Sequence, residues 1–131
     1  MNFVMNIKPD SSSYDFNNHD IIDNDTLEQI KLESDNDDLI VREIYFSYFS
    51  EAEILLKRIN DYFDKSDYEK LRTKIHSLTG ISETVGAKKL NEISKFIESI
   101  IREKKYDELS LLIPILNTSH QELKNTIKQM I

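Results

Sequence analysis

Apolar residues recur at spacings of three and four along most of the chain, which is the pattern of amphipathic helices. No stretch alternates apolar and polar residues as a half-buried strand does. The pattern predicts four or five helices: a short one over residues 26–34, then helices over 37–64, from Asp67 to a stop at Gly86, from Ala87 onward, and from a cap at Asp107 onward. Short connections between long helices favour antiparallel neighbours. We therefore expect an all-α fold, an antiparallel up-and-down four-helix bundle with a short N-terminal helix.

Local signals place the ends of these helices. Asp25 with Glu28, and Ser66 with Glu69, have the three-residue spacing of a capping box. Gly86 should end the third helix, because glycine accepts the left-handed conformation that is common just past a helix end.

Each long helix has one apolar stripe that we expect to face the core. In the last helix Pro114 lies inside the stripe and should kink the helix, because proline lacks a backbone N–H. The stripe predicted for the second helix is Ile40, Ile44, Tyr48, Ala52, Leu55, Ile59 and Tyr62 or Phe63. The stripe predicted for the third helix is Tyr68, Leu71, Ile75, Leu78, Ser82 and Val85.

Composition and charge exclude several classes of function. The 131 residues include no cysteine, so disulfides, thiol catalysis and cysteine-based zinc sites are excluded. Residues 1–38 carry a balance of −8, whereas residues 39–131 carry +1. Neither part has the basic face that nucleic acid requires, and no segment has the ~18 apolar residues of a membrane span. We expect a cytoplasmic protein with no nucleic-acid or membrane partner.

The N-terminal residues differ in composition from the rest. Residues 1–24 are rich in asparagine, aspartate and serine, which predicts a disordered acidic leader before a bundle over residues 25–131. The alternative is that Phe3, Val4 and Ile7 dock on the bundle.

His76 is the candidate for chemistry. On a helix it shares one polar side with Arg72, Thr79, Gly80 and Glu83, just off the apolar stripe. An imidazole is partly unprotonated near pH 7, and its free nitrogen can attack phosphorus. Gly80 weakens a helix by about 1 kcal/mol relative to alanine, which a close approach of another surface to the histidine would explain. An ordinary exposed histidine is the alternative at this point.

The other candidate groups have structural explanations. His76 and Glu83 are two turns apart, too far for a metal chelate along one helix, so we expect no metal site. Ser82 should be buried and hydrogen-bonded to a carbonyl one turn earlier. His120 should be partly buried and satisfied, and His19 incidental. The aromatic residues of the second helix should pack in the core, although some could join a docking patch: Tyr45, Phe46, Tyr48, Phe49, Tyr62 and Phe63.

The segment His-Ser-Leu-Thr-Gly-Ile-Ser-Glu-Thr-Val-Gly-Ala, which begins at His76, resembles the signature of histidine-containing phosphotransfer (HPt) domains, His-x-Leu-Lys-Gly-x-Ser-x-x-x-Gly-Ala. The order of helices over residues 25–131 also resembles that family. The matching positions are His76, Leu78, Gly80, Ser82, Gly86, Ala87 and Leu90.

The resemblance implies a phosphocarrier of a two-component phosphorelay, without a catalytic centre of its own. His76 would accept a phosphoryl group from the aspartate of a receiver domain and pass it to another receiver. Partners would be response-regulator receiver domains and a sensor histidine kinase. The receiver would supply Mg²⁺, so we expect no cofactor on this chain. Leu78, Ser82, Gly86, Ala87 and Leu90 would have structural roles.

One position departs from the family signature. Thr79 stands where the family usually has lysine, three residues after the histidine, and a residue at that spacing leans back over the histidine. With Gly80 it would form the neighbourhood of the phosphate, while Arg72 and Glu83 would form a docking face. Lys88 or Lys89 could supply the missing charge. We expect a less stabilised phosphohistidine than in the family at large.

Two further functions remain open from the sequence. One is a helical adaptor that binds and blocks a kinase or receiver without being phosphorylated, which Thr79 favours. The other is a structural bundle that oligomerises through helix faces. We expect a monomer, since no apolar face is left over.

Overall fold

Five α-helices account for most of the chain in a computed structural model, which describes residues 15–16 and 19–131. They are α1 (Asn24–Glu33), α2 (Asp38–Asp64), α3 (Tyr68–Thr84), α4 (Lys88–Arg102) and α5 (Leu109–Met130), with a 3₁₀ turn at Tyr106–Glu108. The described residues contain no strand. The prediction of an all-α fold is confirmed.

The four long helices form a bundle in which α3 packs between α2 and α4, and α5 closes the other side. Hydrogen bonds from His76 to Glu98 and from Asn91 to Ser82 show that α3 and α4 are antiparallel. None of the described helices is both long and apolar enough to cross a membrane.

Aspartates cap the first three helices, but the caps predicted at Asp25 and Ser66 are wrong. Asp23, Asp37 and Asp67 accept hydrogen bonds from backbone N–H groups at the starts of α1, α2 and α3. Asp25 is already inside α1. Ser66 has a φ of 55° and ends the turn after α2, so the next residue becomes the cap. The prediction for the last helix was also wrong, because Asp107 lies in the 3₁₀ turn and no side chain caps α5.

The inward face of α2 is one residue away from the predicted stripe over its first half. Val41 and Tyr45 are buried, whereas Ile40 and Ile44 are 44% and 37% exposed. The Tyr45 hydroxyl donates to the Val85 carbonyl 2.9 Å away, so this face is held against the end of α3. The buried residues of α2 are Val41, Tyr45, Tyr48, Phe49, Ala52, Leu56 and Ile59.

The stripe predicted for α3 agrees with the structure more closely. Leu71, Ile75, Leu78, Ser82 and Val85 are buried, and Tyr68 stacks on Tyr106 at its edge. Leu90, like the other structural positions of the signature, is buried. Pro114 lies inside α5 as predicted.

The boundary between leader and bundle also differs from the prediction. Ile22 is buried and Asp23 caps α1, so the bundle begins before residue 25. Phe16 packs edge-on against Phe96 of α4, and His19 contacts the Glu92 carboxylate, so His19 is not incidental. The predicted docking of Phe3, Val4 and Ile7 lies outside the described residues.

The two glycines of the signature have different local reasons. Gly86 has a φ of 71°, and a Cβ there would stand 2.8 Å from Thr26 Cβ. Its carbonyl accepts from the Asp23 N–H at 2.8 Å, so α1 is fastened against this turn. Gly80 is helical, and a Cβ there would meet no atom of residues 15–16 and 19–131 within 4 Å. The fold therefore requires Gly86 but not Gly80.

Alanine substitutions at these two glycines should have opposite effects on stability. Gly86→Ala should lower the free energy of unfolding by about 1–2 kcal/mol from the left-handed backbone alone, and crowding against Thr26 adds to this. Gly80→Ala should raise it by about 0.5–1 kcal/mol. Urea unfolding followed by circular dichroism measures both. A Gly86→Ala variant as stable as the wild type would contradict the tight fit of α1.

Candidate functional site

His76 stands on the solvent side of α3 with 76% of its side chain accessible. Its Nδ1 lies 2.8 Å from Oε1 of Glu98, which projects from the facing helix α4 and is only 12% accessible. A carboxylate accepts but does not donate, so Nδ1 carries the hydrogen of this bond. In the neutral ring the lone pair then belongs to Nε2. The site thus presents one nucleophilic nitrogen on an exposed ring held by one bond.

Thr79 is hydrogen-bonded to the Glu98 carboxylate. It is only 8% exposed, and its hydroxyl lies 2.9 Å from Oε2 of Glu98, from the Ile75 carbonyl and from Ser94 Oγ. The prediction that Thr79 lies on an open polar side was therefore wrong. The side chain points between α3 and α4, where a short hydroxyl fits and α4 covers it.

A buried polar network extends behind Thr79. Asn91 donates to the Thr79 carbonyl at 2.8 Å and to Ser82 Oγ at 3.1 Å. Ser82 donates to the same carbonyl at 2.8 Å, which confirms the predicted bond one turn back. Ser94 donates to the Asn91 carbonyl at 2.9 Å. Because every one of these buried groups has a partner, the network favours a single register of α4 on α3.

The remaining predicted residues lie apart from this network. Arg72, Gly80 and Glu83 are exposed. Lys88 pairs with Asp20, and the buried Lys89 pairs with Glu122 at 2.8 Å, so neither supplies a charge at His76. Glu98 itself was missed by sequence reasoning. It lies 22 residues after His76 on another helix, and only the register of the two helices brings them together.

His120, unlike His76, lies inside the bundle. Its Nε2 lies 3.0 Å from Oε2 of Glu53, but its buried Nδ1 has no partner among the described residues, so the prediction of a partly buried, satisfied histidine is wrong. Hydrogen bonds from Lys124 and His120 lower the pKa of Glu53. Of the aromatic residues of α2, Tyr45, Tyr48 and Phe49 are buried, while Phe46 is 45% exposed. Burial raises the pKa of Tyr45 to about 12, so it stays neutral.

A family model described as the Hpt domain matches residues 43–130, which is most of the chain. The chain belongs to the Hpt domain family, and the resemblance seen in the sequence is confirmed. Membership assigns it a phosphotransfer role in two-component signalling. A search of curated proteins found no match.

Solved structures agree in fold. Histidine-containing phosphotransfer protein B from Pseudomonas aeruginosa aligns with a TM-score of 0.77 at 19% identity, over 86% of this chain and 95% of that chain. A histidine-containing phosphotransfer protein from Medicago truncatula gives 0.75 at 20% identity, over 83% and 76%. One from maize gives 0.74 at 19% identity, over 84% and 82%. At these identities the likeness establishes the helical bundle.

Removing the Glu98 carboxylate should free the His76 ring. In Glu98→Ala, Nδ1 loses its acceptor, so both neutral tautomers should become populated. Glu98→Gln keeps an acceptor oxygen and should retain the Nδ1–H form. The ¹⁵N chemical shifts of the ring nitrogens report the tautomers. Glu92→Ala is the matched control, since Glu92 lies on the same helix and contacts His19 instead. Unchanged tautomer populations in Glu98→Ala would show that Glu98 does not orient the ring.

Proposed function

We propose that this chain is a cytoplasmic phosphocarrier of a two-component phosphorelay, in which His76 takes a phosphoryl group from a receiver-domain aspartate and gives it to a second receiver. The observation that carries the proposal is the exposed imidazole whose Nδ1 is held by Glu98, which leaves Nε2 as the nucleophile. An oriented nucleophile on a rigid helix is what phosphoryl transfer demands of the carrier, since the reaction depends on positioning.

The transfer step balances with the groups present. The Nε2 lone pair of His76 attacks phosphorus, the P–O bond to the receiver aspartate breaks, and the aspartate leaves as a carboxylate. The ring keeps its Nδ1 hydrogen, becomes cationic, and faces the Glu98 carboxylate. Transfer to the second receiver reverses these steps. Mg²⁺ is bound by the receiver, whose own carboxylates are its ligands.

The receiver docks on His76 and on a groove between α2 and α3 that continues from it. Gly80 and Thr84 follow His76 at one-turn intervals on α3, and Thr84 lines the groove, about 12 Å along the axis. Ile44 and Ile81 form its apolar floor. A partner that buries ~800 Å² covers a radius of roughly 16 Å, so a receiver centred on His76 reaches this groove. Glu43 and Glu51 at its rim favour a contact surface with basic residues beside apolar ones.

A charge in the groove should weaken docking without touching the acceptor. Ile44→Asp places a carboxylate where the partner is apolar, so receiver affinity should fall about tenfold or more, as for loss of a contact worth 1.4 kcal/mol. Calorimetric titration with a receiver domain measures it. Met130→Asp is the control, because Met130 is 44% exposed on α5, a helix that contributes none of the described residues lining the groove. Equal affinities for the two variants would rule out the groove as the docking surface.

The proposed function is tested by labelling His76. The chain is incubated with phosphorylated receiver domains from the same cell, beside His76→Gln and, as a matched control, His19→Gln. The wild type and His19→Gln should carry acid-labile, alkali-stable phosphate, and His76→Gln should carry none while still binding.

The second candidate is the adaptor that binds without being phosphorylated. It is favoured by Glu98, which places a negative charge beside the acceptor, and by Thr79, which contributes no positive one. Binding of the wild type to the receivers without any label would replace the carrier with this adaptor.

A further inference from the structure

The acceptor site has a charge problem once His76 is phosphorylated. The phosphoryl group on Nε2 adds about two negative charges at neutral pH. The cationic ring is paired through its Nδ1–H with the Glu98 carboxylate 2.8 Å away, so Glu98 offsets the charge of the ring and the phosphoryl charge is left without a counterion. Thr79 cannot offset this charge, since its hydroxyl is turned into the network beneath Glu98. A stable phosphohistidine therefore needs a cation from elsewhere.

Only some of the basic side chains of α4 are available to bind the phosphoryl group. Lys88 and Lys89 pair with Asp20 and Glu122, whereas Lys95 and Arg102 are exposed and form no ion pair with another described residue. Both free cations flank Glu98, Lys95 three residues before it and Arg102 four residues after it, so both share its face of the helix. Because Glu98 bonds to His76, this face of α4 borders α3 on the side that carries His76.

The antiparallel register of α3 and α4 shows which of Lys95 and Arg102 can reach the phosphoryl group on His76. Glu98 is level with His76 and Ser94 with Thr79, so Arg102 is level with about residue 72 and Lys95 with about residue 78. Side chains on a helix lean toward its N-terminus. The Arg102 side chain therefore leans toward the level of His76, and the His76 ring leans toward the level of Arg102. The Lys95 side chain leans the opposite way, toward the turn that contains Gly86.

We propose that Arg102 of α4 is the phosphoryl-binding cation of this site and replaces the lysine that is absent at position 79. This rests on the proposed function and adds the residue that stabilises the phosphorylated state. Four residues separate Arg102 from Glu98, about 6 Å along the axis, which the long arginine side chain spans. Its planar guanidinium can bind two phosphoryl oxygens at once.

The expected consequence is a longer-lived phosphohistidine. Hydrolysis passes through a loose transition state in which the phosphoryl group approaches metaphosphate and loses negative charge. A cation that binds the phosphoryl group therefore stabilises phosphohistidine more than this transition state, and its removal should speed hydrolysis.

The test uses phosphoramidate, a small donor that bypasses receiver docking. The Nε2 lone pair of His76 attacks its phosphorus, the P–N bond of the donor breaks, and ammonia leaves. After removal of the donor, loss of phosphohistidine is followed by ³¹P NMR. Arg102→Met should shorten the lifetime about two- to fivefold, the range for an exposed charge pair, and Arg102→Lys should restore part of it. Lys95→Met is the matched control, with one positive charge removed from the same face at a similar distance from Glu98, and should change the lifetime little.

Two results would overturn this inference alone, and a third would overturn the proposed function as well. An Arg102→Met lifetime equal to the wild type overturns this inference alone, and so does an equal shortening in Lys95→Met, which would show a general field of the surface rather than a site. A wild-type chain that takes no phosphoryl group on His76 from phosphoramidate or from receivers overturns the proposed function, and this inference with it.

Discussion

The site depends on the hydrogen bond between Glu98 and His76, and this bond depends on the polar contacts that align α4 with α3. A single exposed imidazole would rotate freely in water. The carboxylate removes that freedom and decides which nitrogen carries the hydrogen. Glu98 can do so because Thr79 holds its second oxygen. An error of one residue in the register of α4 would move the carboxylate to another face of the helix.

The residue at position 79 shows how one substitution changes the function of its neighbours. A lysine at this position would reach into solvent over the histidine. The threonine instead turns inward and becomes part of the α3–α4 interface. The site gains an oriented histidine, but a carboxylate then lies 2.8 Å from Nδ1, on the same ring as the proposed acceptor nitrogen Nε2. The cation that we propose for the phosphoryl group is Arg102, on the exposed face of α4.

Gly86 and Gly80 are present for different reasons, one in the fold and one at the surface. Gly86 is required by the fold, because its backbone is left-handed and Thr26 leaves no space for a side chain. No described residue comes within 4 Å of where a Cβ at position 80 would lie, so the described part of the fold does not require Gly80. An intrinsically unfavourable residue in mid-helix, one turn from His76, agrees with the close approach of a partner in the proposed function.

Local patterns in the sequence were enough to predict the order of the helices, the stop at Gly86 and the exposure of His76, because each depends on residues within a turn or two. They failed where a choice depended on distant partners. Helix α2 is apolar on more than one side, and only packing against α3 and α5 decided that Tyr45 and not Ile44 faces inward. The direction of Thr79 and the identity of Glu98 depended likewise on how α4 lies against α3, since hydrogen bonds across 22 residues leave no periodic trace in the sequence.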